Sequence, residues 1–206
     1  MVNVDTKRID WVDIFKALSM LLIVMAHVCG RFNDCVYQFH VTAFFFISGY
    51  TSGSLGSMFE TVIKRVLTLL VPYYFFNLSG VILIELLERA HVAWLLSSET
   101  YPPTLQLKVL EVLRLEGMNC EWFGATWFLK VMFWASCLFE AEVRLSGRKR
   151  NILMSMSVLL FLLSLAIDDS IWKLMLKAQY FMAVGWMLKN RLKEGPVLRT
   201  TGKAFI

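Results

Sequence analysis

Lys16 and His27 are the two side chains of the first apolar run best suited to chemistry. The run, Trp11 to Gly30, reads WVDIFKALSMLLIVMAHVCG. Histidine, with an ordinary pKa of about 6.5, is the natural base for taking a proton from a hydroxyl near neutral pH. Lysine supplies a cation, which suits a phosphate-bearing ligand. The eleven-residue step between them turns an α-helix through three full turns and about 20°, so both lie on one face, roughly 16 Å apart along its axis. That geometry suits a polar path through a helix bundle better than one compact site. Asp13, three residues before Lys16, is placed to pair with it.

The elements that must position these groups are long apolar helices. Apolar residues make up 57% of the chain and charged residues 18%, whereas soluble domains carry about 25% charged residues. Six segments are long and apolar enough to cross a bilayer core of about 30 Å, near 11–30, 36–56, 66–87, 122–139, 151–167 and 171–188. The expected fold is therefore all-α, a polytopic transmembrane helical bundle of about six spans.

Charge sets its orientation. Lys7 and Arg8 precede the first span, Lys64 and Arg65 lie between the second and third, and Arg144, Arg148, Lys149 and Arg150 lie between the fourth and fifth. Lys189, Arg191 and Lys193 follow the sixth. Every second connection is basic, so the positive-inside rule puts both termini in the cytoplasm. The net charge of +5 follows from these loops and implies no nucleic-acid partner. The expected location is the inner (cytoplasmic) membrane, multi-pass, with the lipid bilayer as the first partner.

The first run contains Asp13 and Lys16 and lacks a small-x-small cleavage site, so it is a span and no signal peptide. Cys29, Cys35 and Cys120 fall on the outer side and Cys137 in the fourth span, without a CxxC, so no metal site is expected. An outer disulfide and free thiols both stay open. The longest outer connection, about residues 88–121, contains Tyr101-Pro102-Pro103. Thr104 then caps a short amphipathic helix running to Leu115, with Leu105, Val109, Val112 and Leu113 at helical spacing.

Four stretches resemble one known family. IDWVDIFKALSMLLIVMAHV (Ile9 to Val28) has the basic residue, ten intervening residues and histidine of the first span of the membrane acyltransferase-3 family, particularly its fucose-4-O-acetylase-like branch. FHVTAFFFISGY (Phe39 to Tyr50) is similar to that family's second span, and KRVLTLLVPYYFF (Lys64 to Phe76) to the basic stretch entering the third. ATWFLKVMF (Ala125 to Phe133) resembles its Trp-Phe-Leu element. The resemblance covers residues 9 to about 190. It departs at Thr68, where the family usually has the second arginine of an Arg-x-x-Arg pair, and in span number, where the family usually has about ten.

The resemblance implies an O-acyltransferase that moves an acyl group, with acetyl expected, from cytoplasmic acyl-CoA to a hydroxyl of a cell-envelope or exopolysaccharide sugar. It makes His27 the catalytic base, His40 a second site residue that orients substrate, and Lys16, nearer the cytoplasmic end of the same span, a further catalytic residue. Arg65, Lys64 and Lys16 would hold the donor, acyl-CoA. Tyr50, Trp127 and Lys130 would contact substrate. The acceptor would be a glycan or lipid-linked sugar. The domain is expected over residues 1–190, apparently incomplete, with 191–206 a cytoplasmic tail. Intramembrane charges also line transport paths, so a transporter- or permease-like protein is the reading from another class, though neither an inverted repeat nor a second half is visible. An inactive truncated fragment of an acyltransferase is a third.

Overall fold

The computed structural model describes residues 10–29, 33–53, 56–91, 104–115, 126–147, 149–167 and 171–194, and every regular element among them is helical. In chain order these are α1 (Asp10–Cys29), α2 (Asn33–Thr51), α3 (Met58–Arg65), a π-helical segment (Val66–Leu70), α4 (Val71–Arg89), α5 (Leu105–Arg114), α6 (Trp127–Leu145), α7 (Arg150–Leu165) and α8 (Ile171–Glu194).

α8 is the central helix and packs against α2, α6 and α7. Two glycines set its crossing with α2. A Cβ on Gly49 would lie 1.9 Å from the Met182 carbonyl oxygen, and one on Gly185 would lie 2.0 Å from that of Phe46. Each helix thus presents bare backbone to the other, as small residues permit in tightly packed apolar bundles. Phe45 of α2, Ala135 and Phe139 of α6, Leu153 of α7 and Met182 of α8 fill the main core. α1 lies on the other side of α2, through Val12, Ile47 and Tyr50. α5 packs on α4, where Tyr73, Val81 and Val112 make a separate small core.

Residues 58–89 form one continuous helix, the one among the described residues long and apolar enough to cross a membrane; Val41–Thr51 and Arg150–Leu165 are shorter apolar helices. Its start lies well before the expected span. Ser57 caps it, accepting from the Glu60 amide (3.2 Å), while the Glu60 carboxylate accepts from the Ser57 amide (3.0 Å). This capping box satisfies two otherwise orphaned donors and begins the helix at Met58. Lys64 and Arg65 therefore sit in the last turn of α3, where the charge pattern alone had placed them in a loop. Pro72 neither starts nor breaks this helix. The wider π turn directly before it accommodates a ring that would otherwise meet the carbonyl of the preceding turn.

Two helices likewise run past the end of the expected span, while α2 and α7 stop short of theirs. α6 runs to Leu145 and α8 to Glu194, so Arg144, Lys189 and Arg191 belong to helices rather than to loops. Large apolar side chains are exposed along α1 (Ile14, Leu18, Leu21), α4 (Phe75, Ile82, Leu86) and α7 (Leu159, Leu162). Contiguous apolar surface of that kind is costly in water and suits contact with lipid.

Candidate active site

The residues singled out by type and spacing separate into two ends of the bundle. α2 and α6 run in the same direction: Phe44 and Phe45 meet Phe128 near the start of α6, and Gly56, just past α2, meets Arg144 near its end.

At the first end, Trp127 is half-buried and packs edge-to-face on Phe128 (ring centroids 6.2 Å apart). Lys130 is buried, and its ammonium donates to the Leu115 carbonyl at 2.6 Å. Leu115 closes α5 in the left-handed region (φ 57°). Lys130 thus supplies a cation where the α5 dipole is negative and satisfies a carbonyl that the helix leaves open. A second buried lysine, Lys108 of α5, pairs with Glu88 (2.7 Å) and lies 3.8 Å from Glu85, both on α4. These pairs turn the Lys108–Val112 face of α5 toward α4, so Leu105 and Leu113, expected on the apolar packing stripe, are exposed. Asn77 and Thr126 went unnoticed in the sequence. Thr126 donates to the Asn77 side-chain carbonyl (3.3 Å), and the Asn77 amide donates to the Tyr73 carbonyl (2.8 Å), joining α4 to the start of α6.

His27 lies in the last turn of α1, and His40 eight residues into α2. α1 packs on α2. The imidazoles themselves, and so the expectation that they are neighbours, lie outside the described residues.

At the second end, Tyr50 is buried against Val12 and Ile47, with its ring edge-on to Trp11 (centroids 4.9 Å apart, 72° between planes). It lies five residues past Phe45, about 7.5 Å further along α2 from the Phe128 contact. Tyr50 is therefore not brought to Trp127 and Lys130. Lys16 is exposed on α1, beside the Val12–Ser19 face that packs inward. Among the described residues no ion pair joins it to Asp13. Lys64 is exposed and Arg65 half-buried, close enough to Cys137 of α6 to act on it electrostatically. The Thr68 hydroxyl donates to the Lys64 carbonyl (2.8 Å), inside its own helix.

Two further cations converge on the α2–α3 connection. Lys189 donates to the Ser52 carbonyl (2.6 Å), and Arg144, paired with Glu140 (2.9 Å), reaches the Gly56 carbonyl (3.2 Å). From sequence both served only to orient the chain, because nothing local links them to residues 52–56. The second end is thus cationic, with Lys64, Arg65, Arg144 and Lys189 on three helices. The first end carries α5, the two buried lysines and the Asn77–Thr126 link. A cluster of lysine and arginine on converging helices is chemically suited to holding an anionic ligand.

Neither a curated protein nor a solved structure matches this chain. A protein-family model described as an acyltransferase domain matches residues 9–205. The match takes in every candidate residue above, and proteins of this family are membrane proteins. The chain belongs to the acyltransferase-3 family and is an acyltransferase that transfers groups other than aminoacyl groups.

Proposed function

We propose that this protein is a multi-pass O-acyltransferase of the inner (cytoplasmic) membrane, with both termini cytoplasmic and about six spans. It transfers an acyl group, with acetyl expected, from cytoplasmic acyl-CoA to a hydroxyl of an envelope or exopolysaccharide sugar, as the fucose-4-O-acetylase-like branch would. The family match over residues 9–205 carries this reading. The cationic end supports its donor side, since CoA phosphates are best held by lysine and arginine.

Lys64, Arg65 and Lys16 hold the donor from the cytoplasm, with Thr68 leaving the work of a second arginine to Lys64. His27 takes the proton of the acceptor hydroxyl as its oxygen attacks the thioester carbonyl, and the CoA thiolate leaves and is protonated. His40 orients the acceptor. Tyr50 lines the path near the donor, while Trp127 and Lys130 act at the acceptor end, Lys130 by holding α5 in place.

The test uses membranes expressing wild type or His27→Ala, supplied with radiolabelled acetyl-CoA, with label followed into alkali-labile glycan ester. Label with wild type and none with the variant is the expected result. No label with either, at equal membrane insertion, defeats the reading.

A further inference from the structure

Where α6, α7 and α8 meet, Glu142, Ser157 and Gln179 are sealed together at 2%, 0% and 0% exposure. The Ser157 hydroxyl donates to Glu142 Oε2 at 2.8 Å. The Gln179 amide donates to the same oxygen and, at 2.8 Å, to Ser157 Oγ. A hydroxyl offers one hydrogen and a primary amide two, so every donor in the triangle is in use. Two oxygens remain, Glu142 Oε1 and Gln179 Oε1, both buried and both without a hydrogen-bond partner.

A carboxylate so enclosed needs a compensating positive charge, and among the described residues none is in ion-pairing reach. On α6, Glu140 and Arg144 pair with each other. On α8, Lys177 is two positions from Gln179 and points to another side of the helix. On α7, Arg150 is two turns before Ser157. From α3, Arg65 approaches α6 at Cys137, more than a turn away. Exchanging the amide oxygen and nitrogen of Gln179 would only bring another oxygen against the carboxylate.

We propose that the Glu142–Ser157–Gln179 triangle binds one small monovalent cation, a proton or sodium, that neutralises Glu142 and joins its free oxygen to that of Gln179. The site lies among the three helices of the main core, apart from every residue given a role in acyl transfer. The bound cation would therefore act on the packing of the bundle, and its test is independent of the acyltransferase reading.

The experiment follows thermal unfolding of the full chain in detergent, wild type beside Glu142→Gln. Sodium replaces choline at constant ionic strength, and pH is varied through neutrality. Sodium raising wild-type Tm by about 3–6 °C, with no rise in the variant, identifies a sodium site. For a proton, held when folded and released on unfolding, wild-type stability falls as pH rises. Glu142→Gln carries that hydrogen permanently on its amide and should keep its Tm across the range. Wild type and variant responding alike to sodium and to pH overturns the proposal. Should Glu142→Gln not fold, Gln179→Leu replaces it. Gln179→Leu removes the free oxygen together with the amide that donates to Glu142 and Ser157, and should move the sodium midpoint about tenfold or more, or the pH midpoint by about one unit; an unmoved midpoint overturns the proposal equally.

Discussion

Lys130 and Lys16 show how one residue type serves different ends in the same bundle. The Lys130 ammonium is buried and closes the C-terminus of α5. Lys130→Met would leave the Leu115 carbonyl without that donor, a loss of about 1–3 kcal/mol. We expect a lower Tm together with faster proteolysis around residues 104–115, and partial recovery in Lys130→Arg. Lys16, by contrast, is exposed. Lys16→Ala should therefore change stability by no more than about 0.5 kcal/mol, while the donor reading requires a raised KM for acyl-CoA. Unchanged acyl-CoA kinetics in a well-folded Lys16→Ala would remove Lys16 from the donor site. The histidine–lysine spacing was legible because helical periodicity alone sets it. The capping role of Lys130 was not, since Leu115 is fifteen residues away and comes near only when α5 folds back on α4.

The helices are positioned by two kinds of device. One is local: the Ser57–Glu60 box starts α3, and Ser57→Ala should cost about 1 kcal/mol, read as a modest fall in Tm with the helix otherwise kept. The other is a contact between distant segments. Gly49→Val or Gly185→Val would drive a side chain into the backbone of the facing helix, at 1.9 Å and 2.0 Å already for the first carbon. Because the obstacle is backbone, the helices must part. We expect either variant to lower Tm much more than Ser57→Ala, or to abolish insertion of a folded protein. Gly49→Ala should lie between. The capping box can be recognised in the string S-M-F-E, four consecutive residues. The pairing of Gly49 with α8 cannot, since small residues in an apolar helix can face any neighbour.

At the scale of the whole molecule, the two ends of the bundle differ in charge and in exposed chemistry. If both termini are cytoplasmic, a single cysteine at Lys64 should be labelled by an impermeant thiol reagent only after the membrane is opened. One at Leu107, on the exposed side of α5, should be labelled in intact cells. The reverse pattern would invert the proposed orientation and move the donor end outside. With the Leu107 reporter alone, an unchanged labelling pattern in Lys64→Gln/Arg65→Gln shows that the remaining basic residues suffice for topology, so that a raised KM for acyl-CoA in that variant reports donor binding.

Hydrophobic periodicity and charge, both local quantities, determined the helical class, the approximate place of each long helix and the capped amphipathic helix after Thr104. The four family-like stretches pointed to acyl transfer in the same way, since each lies within one continuous segment. Helix ends were displaced because capping and side-chain contacts, as well as the edge of the apolar run, bear on where a helix starts and stops: Ser57 and Glu60 cap α3, and Arg144 and Lys189, inside their helices, contact Glu140 and Ser52. Only tertiary structure decided that Tyr50 and Lys130 lie apart along the bundle, that α2 and α8 cross at two glycines, and that Glu142, Ser157 and Gln179 meet. Those residues stand on different helices, and their meeting depends on how the helices rotate and pack about α8, which no single segment encodes.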